Sequence, residues 1–333
     1  MAALTLDRLL AAVRRHFGSA ATIENVVLPT LGGSNLTTIF DVVEGPGEAN
    51  RRRLVSRQET YVAANTPFLA PRLQYQLLEV ATKHGIPCPA PVFELAPEDE
   101  LGRGYVTAFV SGETFPKRIL TDARFASARA KLAGQSGEVL ARLHAIPESE
   151  VAFLADSPDS RDPLGAQLAR LDSYGEAHPA VELGARWLVQ HRPKPSRRQL
   201  VHGDYRTGNL LVSEDGLEAL LDWECAHLGS GLEDLGWLCT RSWRFGQNEL
   251  PAGGFGSREQ LVAAYEKVSG APVDPAEVHW WEVFGLLRWT VLNVMQAHGH
   301  LAEGRRSIGF AACGRNASLY EYELLMTLAG RFT

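Results

Sequence analysis

Residues 200–224 read Leu200-Val201-His202-Gly203-Asp204-Tyr205-Arg206-Thr207-Gly208-Asn209-Leu210-Leu211-Val212 and, after a seven-residue connection, Leu220-Leu221-Asp222-Trp223-Glu224. Two apolar runs, Leu210–Ser213 and Leu217–Leu221, flank the turn Glu214-Asp215-Gly216 and predict a β-hairpin. Asn209 starts one strand and Asp222 ends the other, so antiparallel pairing brings them together. An amide oxygen and a carboxylate converging there are hard ligands, suited to Mg2+ that also keeps phosphate and water. Asp204 lies in the preceding loop. It fits the carboxylate that orients an attacking hydroxyl and accepts its proton during phosphoryl transfer.

Working outward, the chain changes texture around residue 110. Leu6, Leu9, Leu10, Val13 and Phe17 recur at helical spacing and predict an opening amphipathic helix. Strands are expected over Ile23–Leu31, Leu36–Val43, Leu54–Arg57, Val92–Leu95 and Tyr105–Val110, with one helix over Pro71–His84. Beyond Ser111-Gly112 helices dominate: Asp122–Ala145, Pro163–Tyr174, Pro179–His191, Glu233–Arg241, Arg258–Val268, Pro275–His298 and a last one from Arg306. The expected fold is α+β, with an antiparallel-sheet N-terminal lobe over 1–110 and a larger, mainly helical lobe over 111–333.

The 333 residues carry a formal charge of −6, with 45% apolar and 22% charged residues. That balance argues against general attraction to nucleic acid or anionic membranes. The local exception is Arg51-Arg52-Arg53 with Arg57, which reads equally as a solvated loop entering a strand. The four cysteines form no zinc or disulfide pattern and read as core residues of a reducing compartment. The N-terminus lacks a secretory pattern, and no apolar run approaches the roughly 20 residues a bilayer span needs. A cytoplasmic protein with no membrane or nucleic-acid partner is expected.

His202-Gly203-Asp204, Asn209 and Leu221-Asp222-Trp223-Glu224 together resemble the aminoglycoside phosphotransferase and choline kinase group, which shares the protein-kinase fold. The protein-kinase catalytic loop has the same five-residue interval from base to metal-binding Asn. The resemblance covers most of the chain. It implies a two-lobed fold, ATP and Mg2+, and a small-molecule hydroxyl acceptor. Asp204 would be the base, and Asn209 and Asp222 the metal ligands. Gly33-Ser34-Asn35 resembles the phosphate-covering loop, Phe109-Val110-Ser111 the hinge that holds adenine, and Gly85–Pro89 the link after the N-lobe helix. Leu143–Pro147 resembles the end of a C-lobe helix. Glu233-Asp234-Leu235-Gly236 resembles a helix start from which Asp234 would bond the catalytic-loop backbone.

The pattern is broken at one point. Where such kinases place a Lys on the third strand paired with a Glu, this chain has Arg57, and the helix position counts to Gln74. Arg57 is expected to contact phosphate, since its guanidinium fork bridges oxygens and stays charged. Its partner is Gln74 or, alternatively, Glu79 or Glu59. The arginine resembles a subgroup associated with acyl-CoA dehydrogenases, which implies a hydroxy acid or hydroxyacyl-CoA acceptor. An apolar helix over Trp281–His298 with Arg288 embedded suits an acyl or anionic acceptor. The alternatives are an aminoglycoside, choline or sugar kinase, or a nucleotide-binding pseudokinase scaffold.

Each of these residues also has a plainer reading. Asp204, Asn209 and Asp222 are residue types that turns favour. His202 reads as a buried scaffold histidine, His144 as helix-end packing and His298-Gly299-His300 as a solvated helix end. Glu224 and His227 read equally as acceptor-facing groups or surface turn residues. Trp237, Trp281 and Trp289 read as core packing, with pocket lining as the second possibility.

Overall fold

The computed structural model describes residues 2–29, 35–45, 47, 50–59, 66–194, 197–303 and 306–332. The chain divides into two compact units, Met1–Ser111 and Gly112–Thr333.

In the first unit, helix α1 (Ala2–Phe17) precedes β1 (Thr22–Val27), β2 (Asn35–Val43) and β3 (Arg51–Glu59). Helix α2 (Pro71–Lys83) follows, then β4 (Pro91–Glu94) and β5 (Gly104–Ala108). The strands form an antiparallel sheet in the order β1-β2-β3-β5-β4. Side chains alternate along a strand, so β3 divides its residues between two faces. Leu54 shares one face with Phe40 and Val106, and these pack against Leu9, Ala12 and Val13 of α1. Arg57 lies on the other face, opposite Tyr105. On that face α2 docks through a bond from the Tyr105 hydroxyl to Gln74 Oε1 at 3.0 Å.

β3 is longer than expected because the arginine triplet belongs to it rather than to a loop. Arg51 pairs with Glu24 at 2.8 Å and Asp41 at 3.0 Å, and Arg52 with Glu44 at 2.8 Å. Cross-strand carboxylates thus give the basic run local partners. β1 ends at Val27, four residues short of the expected end.

The second unit holds α3 (Pro116–Thr121), α4 (Ala126–His144), α5 (Pro158–Arg161), α6 (Pro163–Asp172) and α7 (Pro179–Gln190). Then come the short strands β6 (Gln199–Val201), β7 (Leu210–Val212), β8 (Leu217–Leu220) and β9 (His227–Gly229). Helices α8 (Leu232–Cys239), α9 (Arg258–Ser269), α10 (Pro275–Leu301) and α11 (Ile308–Leu328) complete it. Asp274 caps α10 by accepting from Ala276 N, with Pro275 at the first helical position. Ser257 and Gln260 form a capping box on α9, which ends at Gly270 with φ 71°. The apolar length of α10 is the core: Trp280, Phe284, Leu287 and Val291 pack with Val181 and Leu188 of α7 and Leu324 of α11. No described helix is long and apolar enough to cross a membrane.

Candidate active site

The site grows from two ladders. β6 pairs with β9, Val201 opposite His227, and delivers the chain into His202-Gly203-Asp204. β7 pairs with β8, Leu210 opposite Leu220. A further bond from Leu221 N to Asn209 O at 2.9 Å extends that ladder, so Asn209 faces Leu221 and Asp222 comes next. Asp222 takes the left-handed backbone, φ 59° and ψ 65°. Such a conformation costs a non-glycine residue roughly 1–2 kcal/mol. A costly backbone at the exit of a hairpin marks a residue whose direction matters.

Asp204 is the hub. Asn209 Nδ2 donates to its Oδ2 at 2.5 Å and to its backbone O at 3.0 Å. The indole Nε1 of Trp237 donates to Oδ1 at 3.0 Å, and Arg206 Nε reaches both oxygens at 3.1 and 3.3 Å. Arg206 also lies over the Trp243 ring, 4.8 Å from its centroid. The carboxylate is therefore fixed by three side-chain donors while staying partly open, at 18% side-chain exposure. With both amide hydrogens of Asn209 turned to Asp204, its Oδ1 faces away as a hard oxygen donor.

The backbone beneath is clamped from α8 and α10. Asp234 accepts from His202 N at 2.8 Å, Gly203 N at 2.9 Å and His144 Nε2 at 3.1 Å. Burial opposes the charge on Asp234, but His144 and these amides hold its carboxyl below the usual range. An ionised carboxylate only accepts, so His144 Nε2 carries a proton, and its Nδ1 meets the Tyr265 hydroxyl at 3.0 Å. His144 is thus part of the clamp, not mere helix-end packing. Gly203, at φ 75°, lies so close to the Cys225 carbonyl that a Cβ has no room.

Arg288 Nη1 donates to Gly203 O at 2.5 Å and lies 3.5 Å from Glu233 and 5.0 Å from the Trp237 ring centre. Arg288, embedded in that largely apolar helix, is only 4% exposed and committed to the loop. Both readings of His227, acceptor-facing or surface turn, are corrected. It is neither a surface nor an acceptor residue but a buried partner of Glu233 at 3.1 Å, with Nδ1 at 3.0 Å from Cys225 O. Burial works against its charge, and the Glu233 carboxylate more than compensates, raising His227 to about 9. His202 is buried and accepts from Asp204 N at 3.2 Å through Nδ1. Burial holds its pKa down, as expected of a neutral scaffold residue.

The expected nucleotide contacts belong to the first unit. Gly33 and Ser34 lie outside the described residues, and Asn35 opens β2 opposite Glu59. Phe109 N donates to Arg53 O at 2.9 Å, and the Arg53 guanidinium sits 4.7 Å from the Phe109 ring centre. Val110 and Ser111 follow at the end of that unit. Arg57 is half-buried on β3. Gln74 is not its partner: the amide donates to Leu69 O at 2.7 Å and accepts from Tyr105. Glu59 is taken by Arg103 at 2.5 Å, and Glu79 is exposed.

Sequence reasoning missed Arg206 on Asp204, the Trp237 bond to Asp204 and the Arg288 bond to Gly203. A signal existed for Trp237. It follows Asp234 by three residues on α8, and such residues share a helix face. If Asp234 reaches the loop, Trp237 does too.

A sheet unit, a helical unit and a carboxylate fixed beside an Asn/Asp hairpin define a kinase-like phosphotransferase. Residues 46–271 match the model of the phosphotransferase enzyme family, and the chain belongs to that family. A Ralstonia eutropha protein provisionally assigned as an aminoglycoside phosphotransferase is 23% identical, with a TM-score of 0.72 over 96% of this chain and 97% of that one. A choline kinase from Cryptosporidium parvum is 11% identical, with a TM-score of 0.64 over 97% and 95%. Acyl-CoA dehydrogenase family member 10 of Mus musculus is 28% identical over 181 residues, which is 50% of this chain but 16% of the mouse protein. The chain therefore spans a small part of that relative. Membership of the family places the chain in the phosphotransferase class.

Proposed function

We propose that the enzyme uses ATP and Mg2+ to phosphorylate the hydroxyl of an anionic small molecule, a hydroxy acid or a hydroxyacyl-CoA thioester. The observation that carries the reading is the Asp204 carboxylate, locked by Asn209 and Trp237 beside the Asn209–Asp222 hairpin end. Asp204 accepts the proton as the acceptor O–H bond breaks, the new O–P bond forms and the β–γ bridge leaves with ADP. Asn209 Oδ1 and the Asp222 carboxylate are the proposed Mg2+ ligands, and their hard oxygen donors fit that ion. Bound there, the ion would neutralise phosphate charge. In the first unit, Gly33, Ser34, Asn35 and Arg57 are the proposed phosphate contacts, and Phe109, Val110 and Ser111 the proposed adenine contacts. Their support is the sequence resemblance and, for Arg57, its half-buried place on β3.

The acceptor class is supported by two observations. Arg206 sits on Asp204 itself, placing a permanent cation where an aminoglycoside or choline would bring another. The mouse relative by its name belongs among acyl-CoA dehydrogenases. Four free thiols are consistent with a cytoplasmic site of action.

The test is Mg-dependent ADP release with one panel of hydroxy acids and hydroxyacyl-CoA thioesters and another of aminoglycosides, choline and sugars. Asp204→Ala should cut turnover about 1,000-fold while sparing nucleotide binding. Release driven only by the second panel would overturn the acceptor class. Turnover untouched by Asp204→Ala would overturn the role of the base.

A further inference from the structure

The helical unit contains a cavity of about 510 Å³ that the phosphotransfer reading does not use. Its lining joins Arg161, at the end of α5, to Arg192, Lys194 and Arg198 from the α7–β6 connection, over Trp280 and Trp281 of α10. The connection carries Arg192, Lys194, Arg197 and Arg198 within seven residues of a chain whose net charge is −6. The cavity also touches Gly229, which pairs with Gln199, whereas Val201 and His227 close the other end of that ladder and lead to Asp204. It therefore opens at the end of β6–β9 remote from the base.

The cations are available. Arg161 pairs with Asp156 at 2.9 Å, but that carboxylate is 95% exposed. Arg192 meets Asp162 only at 3.4 Å, with both side chains about half exposed. Arg198 pairs with Glu148, again at the surface. Lys194 has no ion-pair partner among the described residues. Exposed pairs of this kind hold each other weakly, so a phosphate, with stronger charge-assisted bonds, displaces them readily. Of the two carboxylates in the lining, Glu277 is occupied by the Ser230 hydroxyl at 3.0 Å. Four cations against two carboxylates leave an excess of positive charge. The two tryptophans and Leu228 supply an apolar floor. A volume in this range suits a small organic ligand rather than a lone ion.

We propose that this cavity is a binding site for a phosphorylated small molecule bearing a planar or apolar group. The phosphates lie among Arg161, Arg192, Lys194 and Arg198, and the apolar part rests over Trp280 and Trp281.

The probe is adenosine 3′,5′-bisphosphate, titrated calorimetrically into the full chain already saturated with magnesium and a non-hydrolysable ATP analogue. Saturable one-to-one binding is expected. Arg192→Glu with Lys194→Glu should weaken it at least 10-fold, and the milder Arg192→Gln with Lys194→Gln about 3-fold. Both pairs are exposed, so thermal unfolding should match that of the parent. Adenosine without phosphates should bind at least 10-fold more weakly. No binding to the parent, or equal binding by the charge-reversed variant, would overturn the proposal.

Discussion

The indole nitrogen of Trp237 donates to the carboxylate of Asp204 across 3.0 Å, linking helix α8 to the loop that carries the proposed base. The same ring lies under Arg288, whose guanidinium holds the carbonyl of Gly203. One aromatic side chain thus couples the orientation of the Asp204 carboxylate to the packing of two helices.

Trp237→Phe tests the hydrogen bond with little loss of ring packing against Trp243, whose centroid is 5.1 Å away. A hydrogen bond to a charged group contributes about 1.5–3 kcal/mol. Turnover should fall about 10- to 100-fold, while nucleotide affinity stays unchanged in an equilibrium titration. Loss of nucleotide binding in parallel would point to general damage instead.

Arg288→Met leaves Gly203 O without its donor and Glu233 with His227 alone. Removing one partner of a buried charge pair costs about 3–5 kcal/mol. The melting temperature should fall by about 10 °C. Adding Glu233→Gln should cost less than the sum of the two single changes, because each single change removes the same Arg288–Glu233 interaction. Strict additivity in calorimetric melts would show that the pair is not coupled.

His227 predicts a pH-dependent part of stability. Its pKa rises from 6.5 to about 9 in the folded chain. Glu233 and Asp159 favour the charged ring, and burial and Arg288 oppose it. A raised folded-state value means stability fully present below pH 6.5 and lost as pH climbs through 9. The amount is about 3 kcal/mol. Denaturant midpoints should decline over that window for the parent and much less for His227→Gln. A parallel decline in both proteins would assign the titration to another group.

Arg57 separates charge from fork. If it contacts phosphate, Arg57→Ala should raise the KM for nucleotide about 30-fold, the cost of one charge-assisted contact. Arg57→Lys keeps the charge without the bidentate geometry and should raise it only about 3-fold. Initial-rate measurements at fixed acceptor decide between them, and equal KM values in all three proteins would remove Arg57 from the nucleotide site.

Much of this was legible in the sequence because it is local. The Asp204-to-Asn209 interval, the hairpin with Asp222 one step past its last paired residue, and the helix start at Glu233-Asp234 depend on residues close together in the chain. The strand–helix texture likewise placed the sheet unit before the helical one. The arginine triplet was harder, because its carboxylate partners Glu24, Asp41 and Glu44 become neighbours only through strand register. Pairing Gln74 with Arg57 failed for a related reason: counting along α2 does not reveal that its amide is taken by Leu69 O and the Tyr105 hydroxyl.

By itself, the sequence determined the chemistry available: a carboxylate, an amide and a second carboxylate at intervals that a loop and hairpin must bring close. Only the tertiary structure decided what holds them. Trp237 lies 33 residues from Asp204, and Arg288 lies 85 residues from Gly203. Whether such side chains meet depends on how each helix is rotated about its axis when its apolar face is buried. That rotation is set by packing against the whole core, which no short stretch of sequence encodes.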